Sequence, residues 1–184
     1  MKSIIFFMIK KFDPINIQYY KSPVGDLIIG SCKDQLCLCD WRYRKQRENI
    51  DHRLKQDLQA DFLEQSTGVI EKTLTQLTEY FQQKRRHFDI PLLLIGTEFQ
   101  KQVWQWLLKI PYGKTETYGA LARRVHNPEA TRAVAAAVGA NPIAIIVPCH
   151  RIIGTDGNLV GYAGGLPAKQ KMLEMEDQRQ LSLF

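Results

Sequence analysis

Pro148-Cys149-His150-Arg151-Ile152 sets a thiol beside an imidazole, directly after the apolar run Ile143-Ala144-Ile145-Ile146-Val147. A cysteine is an ordinary core residue until a neighbouring base or positive charge favours its thiolate, and His150 followed by Arg151 is such a surrounding. The pattern predicts a nucleophilic cysteine at the mouth of a buried strand. On an extended segment adjacent side chains point to opposite sides, so His150 is expected to reach the Cys149 sulfur through a bridging water. Taken alone, a Cys-His neighbour pair is more often structural than catalytic, and its meaning depends on the elements around it.

Those elements are helical before the cysteine and mixed after it. Thr97-Glu98-Phe99-Gln100 is a capping box that opens a helix, with Phe99, Val103, Trp106, Leu107 and Ile110 as its buried face and Pro111 with Gly113 ending it. A short helix over 118–125 and a second over 128–138, separated by Asn127-Pro128, make a helix-turn-helix candidate. The second helix is rich in alanine, from Ala130 through Arg132 to Gly139. Small side chains allow a close backbone approach, either to a neighbouring helix or to a narrow groove with Arg132 as the one long projection. Composition leaves both readings open.

The first half reads as β. Alternating apolar residues mark strands near residues 17–20, 27–30 and 36–41, with Ser22-Pro23-Val24-Gly25-Asp26 as a turn. Residues 42–60 carry Arg42, Arg44, Lys45, Arg47, Arg53 and Lys55 with few apolar anchors, which reads as a solvated helix or loop rather than a nucleic-acid site. Ser66 or Thr67 caps a helix to about residue 83 on the stripe Ile70, Leu74, Leu77, Phe81. The extended stretch 87–96 separates two expected domains, 1–92 and 93–184. Net charge is +6, so a polyanionic partner is plausible. Four cysteines, unevenly placed, do not form a secreted disulfide framework and favour a reducing cytoplasm. The apolar run 4–9 is too short to span a membrane and reads as an extra strand or packed arm.

Four stretches in this order and spacing, GTEFQKQVWQWLLKIPYGKTETYGALA, TRAVAAAVGANP, VPCHRII and GYAGGLPAKQKMLEME, give the chain from Gly96 to Glu176 a close resemblance to the O6-alkylguanine-DNA alkyltransferases. The first half resembles that family only through a looser pattern around SPVGDLIIG. The resemblance implies an α/β (α+β) fold, with an N-terminal β-sheet domain carrying a helix and a mostly helical C-terminal domain. It implies a DNA repair methyltransferase that takes the alkyl group from O6-alkylguanine in double-stranded DNA onto its own Cys149, once, after flipping the base out of the duplex. His150 would take the thiol proton and Glu176 would orient the imidazole, as in other nucleophile–base–orienter triads. Asn141 would brace the active-site loop, and Tyr118 would protonate the departing guanine. Arg132 would fill the gap in the base stack, with Thr131, Ala133, Val138, Arg151 and Lys169 also on the DNA side. Tyr162 and Ala163 would wall the pocket, where glycines let the backbone pass close to a flat base.

The sequence departs from the family pattern in small ways. Ile152 stands where many members have Val, Val138 where some have a larger wedge, and Ala163 where some have a serine able to bond the guanine oxygen; that pocket is expected to be roomier. Some members bind zinc in the first domain. Cys32 falls at one ligand position and Cys37 where a histidine would be, with Cys39 and His87 nearby, but four tetrahedral ligands are not evident and buried free thiols are expected. No metal or organic cofactor is implied. Three other functions fit less well. A non-catalytic lesion sensor would replace Cys149. A transcription regulator would carry base-reading polar residues on a helix that is mostly Ala and Val. A cysteine hydrolase would need an oxyanion hole. A cytoplasmic monomer with no membrane partner is expected, with O4-alkylthymine as a second candidate lesion.

Overall fold

The computed structural model describes residues 13–125 and 128–177; the apolar run 4–9 and Asn127 lie outside them. Three strands form where the alternation predicts them: β1 (Ile15–Ser22), β2 (Gly25–Cys32) and β3 (Gln35–Trp41), each antiparallel to the next. A fourth, β4 (Phe62–Glu64), pairs parallel to β1 and gives the order β3-β2-β1-β4. It has no sequence signature because three residues are too few to show a period.

The sheet is covered on both faces. Successive β2 residues point to opposite sides. Ile28 packs with Ile17, Leu38 and the buried Ile50 and Leu54 of α1 (Arg47–Leu58). Leu27 and Ile29 pack with Ile70, Leu77 and Tyr80 of α2 (Gly68–Phe81). Thr67 caps α2 by accepting a hydrogen bond from the Ile70 amide at 3.3 Å. The α2 face of the sheet is also where the second half docks, since the same apolar cluster runs on through Val103, Val134, Ile143 and Met172. The stretch 42–60 is therefore not uniformly wet: α1 has two apolar anchors, and Arg44 is buried.

The second half consists of α3 (Glu98–Leu107), the two-residue β5 (Glu116–Thr117), α4 (Tyr118–Arg124), a 3-10 turn (Pro128–Ala130), α5 (Thr131–Gly139), the two-residue β6 (Ile152–Ile153) parallel to β5, and α6 (Leu166–Glu176). The capping box is present in full, with Gln100 N donating to Thr97 Oγ1 at 3.2 Å and Thr97 N to Gln100 Oε1 at 3.0 Å. One tryptophan assignment is corrected. Trp104, not Trp106, is the buried indole of α3, because its Nε1 donates to Ala137 O at 2.8 Å and leaves no polar edge unpaired. Trp106 is half-buried, with Lys109 over its ring at 3.7 Å.

The apolar run 143–147 is not the expected strand. All five residues are buried, but only Ile143 pairs, in a single bridge to Cys39. The chain then turns back, with Val147 N bonded to Ile143 O at 2.9 Å and Ile145 at φ +71°. A left-handed β-branched residue costs about 1–3 kcal/mol and persists only where its surroundings enforce it. Asn141 does so: its Oδ1 accepts from Ile143 N and its Nδ2 donates to Val147 O, both at 2.9 Å. Apolar content alone does not separate a buried strand from a buried turn.

Candidate active site

Cys149 opens a 3-10 turn (Cys149–Arg151) immediately after that loop, so the segment is not extended as expected. Its sulfur receives the Asn141 Nδ2 hydrogen bond at 3.3 Å. One asparagine thus holds both ends of the turn before the thiol and touches the thiol itself.

Behind Cys149, the imidazole of His150 is fully buried, with Nε2 2.9 Å from Glu176 Oε1. Its Nδ1 is buried with no hydrogen-bond partner among the described residues. Glu176, the last residue of α6, gathers donors from three further directions: Arg151 Nε at 2.8 Å and Nη2 at 2.9 Å, Tyr80 Oη at 2.7 Å, and Gly113 N at 3.2 Å. Burial pushes this carboxyl up, but the hydrogen bonds and charges of His150 and Arg151 outweigh burial and hold it well below the usual carboxylate range. Burial pushes the His150 imidazole down, against the Glu176 hydrogen bond. It pushes the Cys149 thiol up, against the Asn141 hydrogen bond, with Asp40 adding to the rise while Arg44 and Lys169 oppose it. The resting pair is therefore a thiol and a neutral imidazole, and charge develops on it only when a proton moves.

Two expected DNA contacts are corrected. Arg151 is buried on Glu176, with Nη1 on Ile110 O at 2.7 Å, so its charge serves the carboxylate and not a surface. Lys169 is fully buried, and its Nζ donates to Ile152 O at 2.5 Å and Val160 O at 2.8 Å, tying down both ends of the 152–160 loop. Cationic side chains read from sequence as surface groups; these two have inward partners instead.

In front of Cys149 lies a cleft of about 930 Å³, at the large end of ligand-site volumes. The structure brings Cys149, Asn141, Tyr118, Thr131, Arg132, Val138, Tyr162 and Ala163 together on its walls. Ala133 is on the exposed side of α5 and does not line it. Burial raises the Tyr118 hydroxyl, with Cys149 adding to the rise, so it stays a phenol with a proton to give.

The first half supplies part of the same cleft, which sequence reasoning missed: Val24, Gly25 and the run from Trp41 to Gln46, Arg42 excepted, line it. A Cβ on Gly164 would run into the Trp41 indole, and the Tyr162 ring meets that indole edge-on at 5.8 Å. The flat partner that demands glycine here is thus a protein side chain. Gly165 has φ +84° and precedes α6, a second position suited to glycine. Buried Asp40 pairs with Arg44 at 2.8 Å and Arg47 at 3.0 Å. Arg44 goes on to Gly139 O at 2.5 Å and Asn141 O at 3.3 Å, and Arg53 to Ala140 O at 2.9 Å. Two cations from the sheet half therefore hold the carbonyl end of α5, where the helix dipole favours them. No composition signal distinguishes these arginines from their exposed neighbours.

Metal binding does not fit the cysteines. Cys39 belongs to the cluster on the opposite face of the sheet from Cys32 and Cys37, and His87 is exposed. The Cys37 thiol donates to Gly30 O at 3.5 Å, and burial pushes it up to about 12. Among the described residues no three His, Cys, Asp or Glu side chains come together as a metal site. No described helix is long and apolar enough to cross a membrane.

The family model described as 6-O-methylguanine DNA methyltransferase, DNA binding domain, matches residues 98–178, and that of the ribonuclease-like domain of the same family matches residues 15–94. The methylated-DNA–protein-cysteine methyltransferase of Mycobacterium leprae is 42% identical over 171 residues, 91% of this chain and 96% of that protein. The protein of the same name from Haemophilus influenzae is 42% identical over 159 residues, 86% and 84% of the two chains. The crystal structure of Mycobacterium tuberculosis O6-methylguanine methyltransferase is similar at a TM-score of 0.76 and 38% identity, over 90% of this chain and 94% of that one. A structure of the Mycobacterium tuberculosis protein in complex with DNA gives a TM-score of 0.77 at the same identity and coverage.

Proposed function

The chain belongs to the 6-O-methylguanine DNA methyltransferase family, and from that premise we propose that it moves the alkyl group of O6-alkylguanine in double-stranded DNA irreversibly onto Cys149. The observation that carries this reading is the sulfur at the wall of a large cleft, bonded by Asn141, backed by the His150–Glu176 pair and shared with the first turn of α5.

The O6 position is stacked inside a duplex, so the nucleotide must rotate out before a thiolate can reach it, at a cost of a few kcal/mol. α5 is the groove element, with Thr131, Arg132 and Ala133 at its exposed start and Arg132 filling the vacated stack. Val138, Tyr162 and Ala163 wall the extruded base. His150 takes the Cys149 proton through a water at Nδ1, the nitrogen that Glu176 leaves free, and Glu176 stabilises the resulting cation. The sulfur attacks the alkyl carbon in line, the carbon–oxygen bond breaks, and Tyr118 gives its proton to the departing guanine. The product thioether is stable, so the protein acts once. Arg151 and Lys169 position the triad and the 152–160 loop. The reaction needs no metal or organic cofactor, and the protein works as a cytoplasmic monomer of two domains, 1–92 and 93–184. O4-alkylthymine presents the same alkyl–oxygen bond and is a second lesion for the site.

The test is nucleoside analysis of an O6-methylguanine duplex incubated with excess protein. Restored guanine with wild type and unchanged lesion with Cys149→Ser supports the reading. Free O6-methylguanine base, or an abasic site, would show a different reaction and sink it.

A further inference from the structure

The charged stretch after β3 divides once folded. Arg44 and Arg47 turn inward to Asp40, whereas Arg42, Tyr43 and Lys45 are exposed. Arg42 and Lys45 take part in no ion pair among the described residues. Tyr43 is 77% exposed, an aromatic ring standing in water, and Tyr43 and Lys45 line the same cleft as Cys149 and Arg132. The Arg42 guanidinium lies 4.2 Å from the centre of the Tyr19 ring and 5.2 Å from that of Tyr43. Ring faces, not a carboxylate, hold it, which leaves its in-plane N–H donors free for an anion. The segment is fixed at its base, because Arg44 in its middle is bonded to the carbonyl end of α5.

Unpaired cations interleaved with an exposed ring, Tyr43 and Lys45 at a cleft and Arg42 beside them, suit a nucleic-acid strand: the cations meet phosphates and the ring a sugar or base face. We propose that the connection from β3 to α1 is a second DNA contact, supplied by the sheet half. Arg42 and Lys45 bind phosphates of the strand that carries the extruded nucleotide, and Tyr43 packs against that strand at the cleft rim. This contact rests on the reading of the cleft as the site of a flipped O6-alkylguanine. It gives the N-terminal half a substrate role and makes the strand span both halves of the chain.

The experiment compares single-turnover methyl transfer from an O6-methylguanine duplex and from the free O6-methylguanine base, which has no backbone. Two variants are used, Arg42→Gln/Lys45→Gln and Tyr43→Ala. Each lost phosphate contact lowers the salt slope by about 0.9. The double variant should therefore show a slope shallower by about 2 between about 50 and 200 mM salt, with a duplex-to-free-base rate ratio down about 10-fold at the low end. Tyr43→Ala should lower the ratio while leaving the slope as it was. Slope and ratio unchanged in both variants overturns the contact. So does an equal loss on both substrates, which would mean the segment shapes the site rather than holds the strand. No transfer by wild type from either substrate overturns the reading of the cleft itself, and this contact with it.

Discussion

Glu176→Gln changes one atom and one charge at the point where His150, Arg151, Tyr80 and Gly113 converge. The carboxylate accepts five hydrogen bonds, from His150 Nε2, Tyr80 Oη and Arg151 Nη2 on one oxygen and from Arg151 Nε and Gly113 N on the other. Glutamine keeps one acceptor oxygen, and its NH2, set in place of Oε2, faces Arg151 Nε and Gly113 N, which can only donate. Two hydrogen bonds are lost in that orientation, the opposite one loses the Arg151 Nη2 bond and forces Tyr80 and His150 to reverse roles, and in both the Arg151 guanidinium is left buried without an opposite charge. Removing one partner of a buried pair costs about 3–5 kcal/mol. For a chain of this size each kcal/mol shifts the melting temperature by about 2–4 °C, so a fall of roughly 6–20 °C is expected. The imidazole also loses its orienting partner, and methyl transfer should slow by about 100-fold or more. Urea unfolding and single-turnover transfer check both figures. A second substitution isolates the cause: adding Arg151→Met to Glu176→Gln removes the stranded charge and should recover about 1–3 kcal/mol. Refutation would be a Glu176→Gln protein within about 1 kcal/mol of wild type that transfers within about 3-fold of its rate.

Asn141→Ala removes the side chain that bonds Ile143 N, Val147 O and Cys149 Sγ together; a loss of about 2–4 kcal/mol is expected, with slower iodoacetamide labelling of Cys149 at pH 8. Equal labelling would mean that Asn141 does not act on the thiol. His150 and Glu176 both ionise lower in the folded protein than their ordinary values of 6.5 and 4.5, so the unfolded chain binds more protons below those values. Stability should be full above pH 6.5, decline as pH falls below 6.5 on account of His150, and decline further below 4.5 as Glu176 contributes. A melting temperature flat between pH 7 and pH 5 contradicts this. Because burial raises Cys149 above 9.0, iodoacetamide labelling should still be climbing at pH 9, and a plateau below pH 8 would show a thiolate already formed at rest. Gly164→Ala drives a methyl into the Trp41 indole and should cost about 1–3 kcal/mol; a variant as stable as wild type would mean that the two halves separate easily at this seam.

The parts of the fold legible in the sequence are those specified by neighbours in the chain. The capping box at Thr97 and Gln100, the cap at Thr67 and the alternation of β2 each depend on residues two to four positions apart. His150 and Glu176 lie 26 positions apart, and the Cys149–His150–Glu176 set was legible only through the family resemblance. Charge was the least readable property. Arg151 and Lys169 have partners folded in from α6 and the 152–160 loop. Arg42 and Arg44, two residues apart, end in water and in the core because only one of them meets Asp40 and the carbonyls of α5. The 143–147 turn was hidden because the apolar content that marks a buried strand is the same content that fills a buried loop, and the deciding group is the Asn141 side chain outside the run.

Intact mass of the protein after incubation with an O6-methylguanine duplex, with peptide mapping, tests the central claim most directly. One added methyl per chain, mapped to Cys149, that rises to one equivalent and stops is the predicted result. Unmodified protein that nevertheless binds the lesion tightly, or a methyl carried on any other residue, would contradict it.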